Sequence, residues 1–252
     1  MVSAATVAPG IPQRLRHEPL LEAVWELRFA GDQMPMAELL PGVIYQKLSP
    51  HYPRIESLPT AGIPLSLRQQ DATLRYLPTV RLQGDRYSIQ IGEHMISLSC
   101  PRPYAGWPAF GAEVRALAAL LRETALITRP ERFSLKYVDL VPSSTLDAIT
   151  ALNVDIRLGE RAVGPEPLHL RIDLHEDDFV HIVQLASPAG VTLPSGENFQ
   201  GVLLDIDTIS QGPQDDFWTG IDSRLERGHA LGKALFFRLL RPQTLADLGP
   251  EY

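Results

Sequence analysis

Residues Gly201–Arg241 read GVLLDIDTISQGPQDDFWTGIDSRLERGHALGKALFFRLLR, and the fold turns on how this stretch is understood. The opening GVLLDIDTIS has the branched side chains of a strand and carries Asp205 and Asp207. A polar turn, SQGPQDD, leads into FWTGIDSRLERGHALGKALFFRLL, the longest helical pattern of the chain. There Ile221, Leu225, Gly228, Leu231, Leu235, Phe236 and Leu239 recur at three- and four-residue intervals, so one stripe of the helix is apolar. Such a helix is stable only with its stripe covered, and a sheet of strands like the preceding one is the natural cover. Strand, turn and helix predict the core of the second half.

The flanking segments extend this pattern. LHLRIDLHEDDFVHIVQLA reads as a β-hairpin with HEDD at or near its tip, Leu168, Leu170, Ile172 and Leu174 pointing in and His169, Arg171, Asp173 and His175 pointing out. SPAGVTLPSGENFQ reads as a loop, SSTLDAITALNV as a serine-capped short helix, and RFSLKYVDLVP as a strand. In the first half, Trp25, Leu27 and Phe29 alternate with Glu26 and Arg28 within Leu20–Ala30, as in a half-buried strand. Met36 to Leu48 has helical spacing, with Pro41 and Gly42 expected to kink or split it. Ser57 to Gln70 reads as loop with a short strand around Leu65 to Arg68. TLRYLPTVRLQ, DRYSIQI and HMISLSC, divided by turns at Gly84-Asp85 and Gly92-Glu93, predict an antiparallel meander with one wet face. Phe110, Val114, Leu117 and Leu121 then mark a second long amphipathic helix.

The expected fold class is therefore α+β, a mostly antiparallel sheet in two similar halves, each covered by a long helix. Residues 1–17 are expected to form a flexible arm, 18–130 the first half and 131–252 the second, packed against it.

Composition narrows the function classes. A chain of 252 residues with 44% hydrophobic and 21% charged residues can bury a sizeable core. No apolar run approaches the roughly 20 residues of a membrane span, and the N-terminus lacks the pattern of a secretory signal. One cysteine, Cys100, fits a reducing cytoplasm. A formal charge of −7 argues against nucleic acid as a general ligand, because phosphate neutralisation needs surplus cations.

Five blocks carry a resemblance: PLLEAVWELRF, RYSIQIGEHMISLSCPRPYAGWPAF, ERFSLKYVDLV, LLDID and RGHALGKALFFRLL. In this order and spacing the chain resembles a bacterial family of about this length, described only as sporadically distributed uncharacterised proteins. That family usually carries an arginine and an asparagine in the strand where this chain has Lys136 and Asp139. The resemblance implies no catalytic site; its patchy distribution is typical of cargo on mobile or defence-related loci.

Several residues are candidates for chemistry. Asp205 and Asp207 project from one strand face about 6 to 7 Å apart and could hold Mg²⁺ or Mn²⁺; the competing reading is a wet strand face. Asp173 and His175, with His181 on the paired strand, are the types that ligate a transition metal, but equally suit a solvated cross-strand cluster. His169 lies about 20 Å from His175 and cannot share an ion with it. Tyr104, Trp107 and Phe110 at the helix entry suggest either an aromatic recognition patch or core packing. Cys100 reads as a buried structural thiol and His229 as a packed histidine. Nucleophile-elbow, phosphate-loop and dinucleotide motifs are absent from the sequence.

These observations lead to the expectation of a non-catalytic binding or assembly protein with a protein partner and no cofactor. The alternative is a hydrolase acting on nucleic acid or nucleotides through Asp205 and Asp207, with Mg²⁺ or Mn²⁺.

Overall fold

Long alternating segments build most of the molecule, seen in a computed structural model that describes residues 10–30, 34–143, 148–192, 196–211 and 217–252. In chain order the elements are β1 (Arg14–Leu15), β2 (Leu20–Phe29), α1 (Met36–Leu48), β3 (Arg54–Ser57), α2 (Leu65–Gln70), β4 (Pro78–Gln83), β5 (Ser88–Gly92), β6 (Met95–Pro101) and α3 (Trp107–Thr124). They continue with β7 (Pro130–Pro142), β8 (Arg157–Leu158), β9 (Arg161–Ala162), β10 (Leu168–Glu176), β11 (Phe179–Thr192), β12 (Asn198–Ser210), α4 (Ile221–Leu239), α5 (Pro242–Asp247) and β13 (Pro250–Glu251). Nine strands form one antiparallel sheet in the order β10-β11-β12-β7-β2-β6-β5-β4-β3. The fold is thus α+β.

Register places the apolar residues on one face. Trp25 lies opposite Leu98 on one side and Leu135 on the other, and Leu27 opposite Ile96 and Phe133. Met36, Leu40 and Ile44 of α1, Phe110, Val114 and Leu121 of α3, and Ile221 and Leu225 of α4 close over these side chains. A second cluster gathers Val141, Val183, Leu185, Val202, Leu204 and Ile206 under Leu235 of α4. The expectation of one long helix for each half is too simple. α1 also packs on β4 and β5, and α4 enters both clusters. The boundary at residues 130/131 falls just inside β7, after its first residue, and the sheet joins the two sides of it through the β2–β7 pairing.

Local expectations fared unevenly. The strand over Leu20–Phe29 and the meander are present, and the hairpin closes with Glu176 opposite Phe179 and Asp177 at φ 54°. Helix α1 is continuous through Pro41. Its first turn is held by Glu93, whose Oε1 and Oε2 accept from the Met36 and Ala37 N–H groups at 3.1 and 3.3 Å. Leu65–Gln70 is helix and not strand, entered at Pro64, which fits a sequence without β-branched side chains. Thr73 to Tyr76 belong to a turn and not to a strand; the Asp71 carboxylate accepts from the Thr73 N–H at 2.7 Å. Most of SPAGVTLPSGENFQ is strand, because a bulge between Ala186 and Ala189 takes up Pro188, which cannot donate to a ladder; residues 193–195 lie outside the described set. The predicted wet face of the meander is partly closed, with Ser88, Ser97 and Ser99 buried and Ser88 and Ser99 sharing a 2.9 Å hydrogen bond.

The described part of the expected arm is docked. The Gln13, Arg16 and His17 N–H groups donate to the carbonyls of Glu251, Gly249 and Leu248 at 2.7–3.0 Å, and β1 pairs with β13. Residues 1–9, residues 144–147 of the segment expected to open with a serine cap, and the turn at 212–216 lie outside the described residues.

Candidate functional site

A strand that buries every second residue must present the others to the opposite face. On the face left uncovered by α1, α3 and α4, many of those others are charged or polar. β2 contributes Glu26 and Arg28, β7 Arg132 and Lys136, β12 Asp205 and Asp207, β11 Gln184, and β10 Arg171 and Asp173. The expected common direction of Asp205 and Asp207 follows from this alternation.

Cross-strand register then builds a cluster. Lys136 lies opposite Asp207 and diagonal to Asp205, and its Nζ is 2.8 Å from Asp205 Oδ2. Gln184, opposite Asp205, approaches the same oxygen from the other side at 3.5 Å. Arg28 donates to Glu26 at 2.6 Å, while its guanidinium lies 4.0 Å from the Tyr76 ring centre. Arg132 sits directly opposite Arg28. On this face three polar atoms are shielded from water with no hydrogen-bond partner among the described residues: Asp205 Oδ1, Asp207 Oδ1 and Arg132 Nη1. Beside them the bulge of β11 opens a hollow of about 280 Å³ lined by His169, Arg171, Gln184, Ala186, Leu203 and Asp205.

The electrostatics reflect burial set against pairing. Burial pushes the Asp205 carboxyl above the usual range; Lys136 pulls it back in part, and Asp207 adds to the rise. Burial also opposes the Lys136 charge, but the bond to Asp205 and the attraction of Asp205, Asp207 and Glu26 outweigh it and raise its value. For Arg132, burial and then repulsion from Arg28 work against the charge.

A divalent cation fits this arrangement poorly. The Lys136 ammonium already occupies an Asp205 oxygen, and no group of three His, Cys, Asp or Glu among the described residues is placed to hold an ion. Asp173, His175 and His181 do not converge. The hairpin loop is two residues long, so His181 falls opposite Leu174 and faces the helices. A one-residue change of register moves a side chain to the other face of a sheet. There His181 Nδ1 pairs with Thr208 Oγ1 at 3.0 Å, and burial holds the ring below the usual histidine range. Asp173 and His175 remain exposed at the sheet edge.

The aromatic trio is used internally. Phe110 is buried, which removes it from any exposed patch. Trp107 stacks on His229 at 4.1 Å, and its Nε1 donates to Glu226 at 2.9 Å. Tyr104 meets Phe110 and Tyr137 edge-on. Together they tie α3 to α4 and β7. Burial pushes His229 down to about 4, and its Nδ1 pairs with the Tyr137 hydroxyl at 3.0 Å. Cys100 is buried, and burial raises its thiol.

Sequence reasoning missed Glu26, Arg132 and Gln184 as neighbours of the aspartates, since each lies on a different strand. Asp139, noted in the sequence only as a departure from the resembled family, points into the helical side and is only 5% exposed. Leu20 lies opposite Asp139 and the Leu140 N–H donates to Pro19, which places Glu18 beside it.

No family model matches the chain, and no curated protein matches it. None of the described helices is long and apolar enough to cross a membrane.

Proposed function

We propose that this chain is a non-catalytic binding and assembly protein that engages a protein partner through the uncovered face of its sheet. The observation that carries the reading is the set of shielded, unpaired polar atoms on that face: Asp205 Oδ1, Asp207 Oδ1 and Arg132 Nη1. Each such atom costs about 1–3 kcal/mol while unpaired, and the polar groups of a docked protein would satisfy them. The mixed charge of Glu26, Arg28, Arg132, Lys136, Asp205 and Asp207 suits a polar protein surface better than a phosphate backbone. The test is capture from the native host by the wild type and by Asp207→Lys. A stoichiometric partner is expected on the wild type and absent from the variant, with unchanged circular dichroism. The same partner retained by both would place docking elsewhere.

The strand orders β2-β6-β5-β4 and β7-β12-β11-β10 are alike on either side of the β2–β7 seam. This supports reading residues 18–130 and 131–252 as two similar halves of a repeated fold. The family resemblance supports a bacterial, sporadically distributed protein of mobile or defence-related loci, and the lone cysteine supports a cytoplasmic setting.

The hydrolase reading rests on Asp205, Asp207, Glu26 and Lys136 sharing one face. Calorimetric titration of Mn²⁺ separates the two readings. Wild type and Asp205→Ala/Asp207→Ala are expected to give the same negligible heat. Saturable heat in the wild type alone would move the proposal to metal-dependent hydrolysis.

A further inference from the structure

We infer that the outer edge of β10 is a self-complementary surface through which two copies of this chain join their sheets. β10 is a nine-residue strand at one end of the sheet, and among the described residues it pairs with β11 alone. Natural edges are usually blunted by proline, bulges, lysine or short length. β10 has no proline, glycine or lysine, and its register with β11 is unbroken from Leu168 to Glu176. The opposite edge, β3, has four residues and lies between Pro53 and Pro59.

On the helical side of β10 an apolar row runs past the cover of the helices, with Ile172 43% and Leu174 40% exposed. On the other side stand Arg171 and Asp173, an ion pair at 3.1 Å with side chains 58% and 48% exposed. The order Leu168-His169-Leu170-Arg171-Ile172-Asp173-Leu174-His175 is complementary to itself about Ile172. With a two-fold axis through Ile172, an antiparallel second copy brings Leu174 against Leu170 and Ile172 against Ile172. On the other face Asp173 meets Arg171 twice, and His175 meets His169; only the end pair, Glu176 against Leu168, is unmatched.

Neighbouring registers are excluded by charge. An axis through Arg171 sets Arg171 against Arg171, and an axis through Asp173 sets Asp173 against Asp173; like charges directly opposite destabilise a strand pair. An axis between two residues sets each apolar residue opposite one from the charged face, which breaks the match of the pleats. The favoured register is isologous, so it closes at two copies and leaves no further β10 edge. Arg171 and Asp173 stand at the margin of the uncovered face, but the contact is read as dimer mass and not as partner capture, so it stands or falls independently of the proposed docking.

Charge reversal provides the test, read as mass by light scattering across a concentration series of the full chain. The wild type is expected to be a dimer, and Arg171→Asp and Asp173→Arg, each alone, monomers with wild-type circular dichroism. Mixing the two variants in equal amounts is expected to restore a one-to-one dimer, and the double exchange R171D/D173R to restore the homodimer. A wild-type monomer at every concentration overturns the inference, as does a dimer indifferent to R171D. Failure of the mixture to associate overturns the register. Open-ended growth with concentration would mean that β10 meets β3 of the next copy instead.

Discussion

Gly201→Ala is expected to destabilise the protein by about 3 kcal/mol or more, the upper end for overpacking a site that cannot relax. Gly201 lies in β12 between Pro142 of β7 and Ala189 of β11, where the sheet bends at the bulge. A methyl group there would meet the Val141 carbonyl oxygen at 2.0 Å, the Val141 carbonyl carbon at 2.8 Å and the Pro142 Cα at 3.1 Å. All three are backbone atoms, so no side chain can swing aside, and β7 and β12 must separate. Because Leu203 and Asp205 line the neighbouring hollow, the same strain reaches the candidate binding face. Thermal unfolding is expected to shift down by roughly 6–12 °C, on a scale of about 2–4 °C per kcal/mol for chains of this size. Gly42→Ala is the control. It lies exposed in α1 with nothing within 4 Å of a new Cβ, and alanine is the better helix former. Equal midpoints for Gly201→Ala and the wild type would refute the close-approach argument.

The contrast between these two glycines shows which parts of the molecule can be read from sequence. Gly42 sits in a helix whose neighbours are local, whereas Gly201 is constrained by a strand some sixty residues earlier in the chain. Local alternation made Trp25, Leu27 and Phe29 legible as a core row, and the 3.6-residue period did the same for Val114 and Leu121 of α3 and for Leu225 and Leu235 of α4. Facts set by pairing between distant strands were not legible. Lys136 touches Asp205 only because β7 and β12 pair in one register, and Arg28 faces Arg132 only through the β2–β7 seam. His181 turned away from Asp173 because the hairpin register sets it opposite Leu174, on the apolar row of β10. Glu93 caps α1 across fifty-odd residues of chain, which no local pattern announces. The candidate site is thus a product of register, while its individual strands are products of alternation.

Asp139 is the sharpest case of register creating chemistry, and Asn in its place is expected to stabilise the protein in a pH-dependent way. Its carboxyl lies on the helical face of β7, 5% exposed, beside Glu18 from the N-terminal segment. Burial raises its pKa well above the usual aspartate value, and the negative charges of Glu18 and, from the other face of the sheet, Asp205 raise it further. Burial likewise raises Glu18, with Arg102 opposing the rise. Below the ordinary aspartate range the group is protonated both folded and unfolded, so it imposes no penalty. As pH rises past that range the unfolded chain ionises first, and the folded state loses stability until the raised folded value is reached. Asp139→Asn removes the titrating proton with little change of shape. Wild type and variant should therefore unfold alike near pH 3, with the variant gaining on the order of 1–3 kcal/mol by neutral pH, the cost of a buried group left uncompensated. Urea midpoints measured from acid to neutral pH test this, with Glu18→Gln expected to show a smaller gain of the same sign because Glu18 is less deeply placed. Parallel wild-type and Asp139→Asn curves across the whole range would mean that Asp139 meets a compensating cation in solution. A curve that crosses the other way would mean that the ionised form is the one the fold prefers.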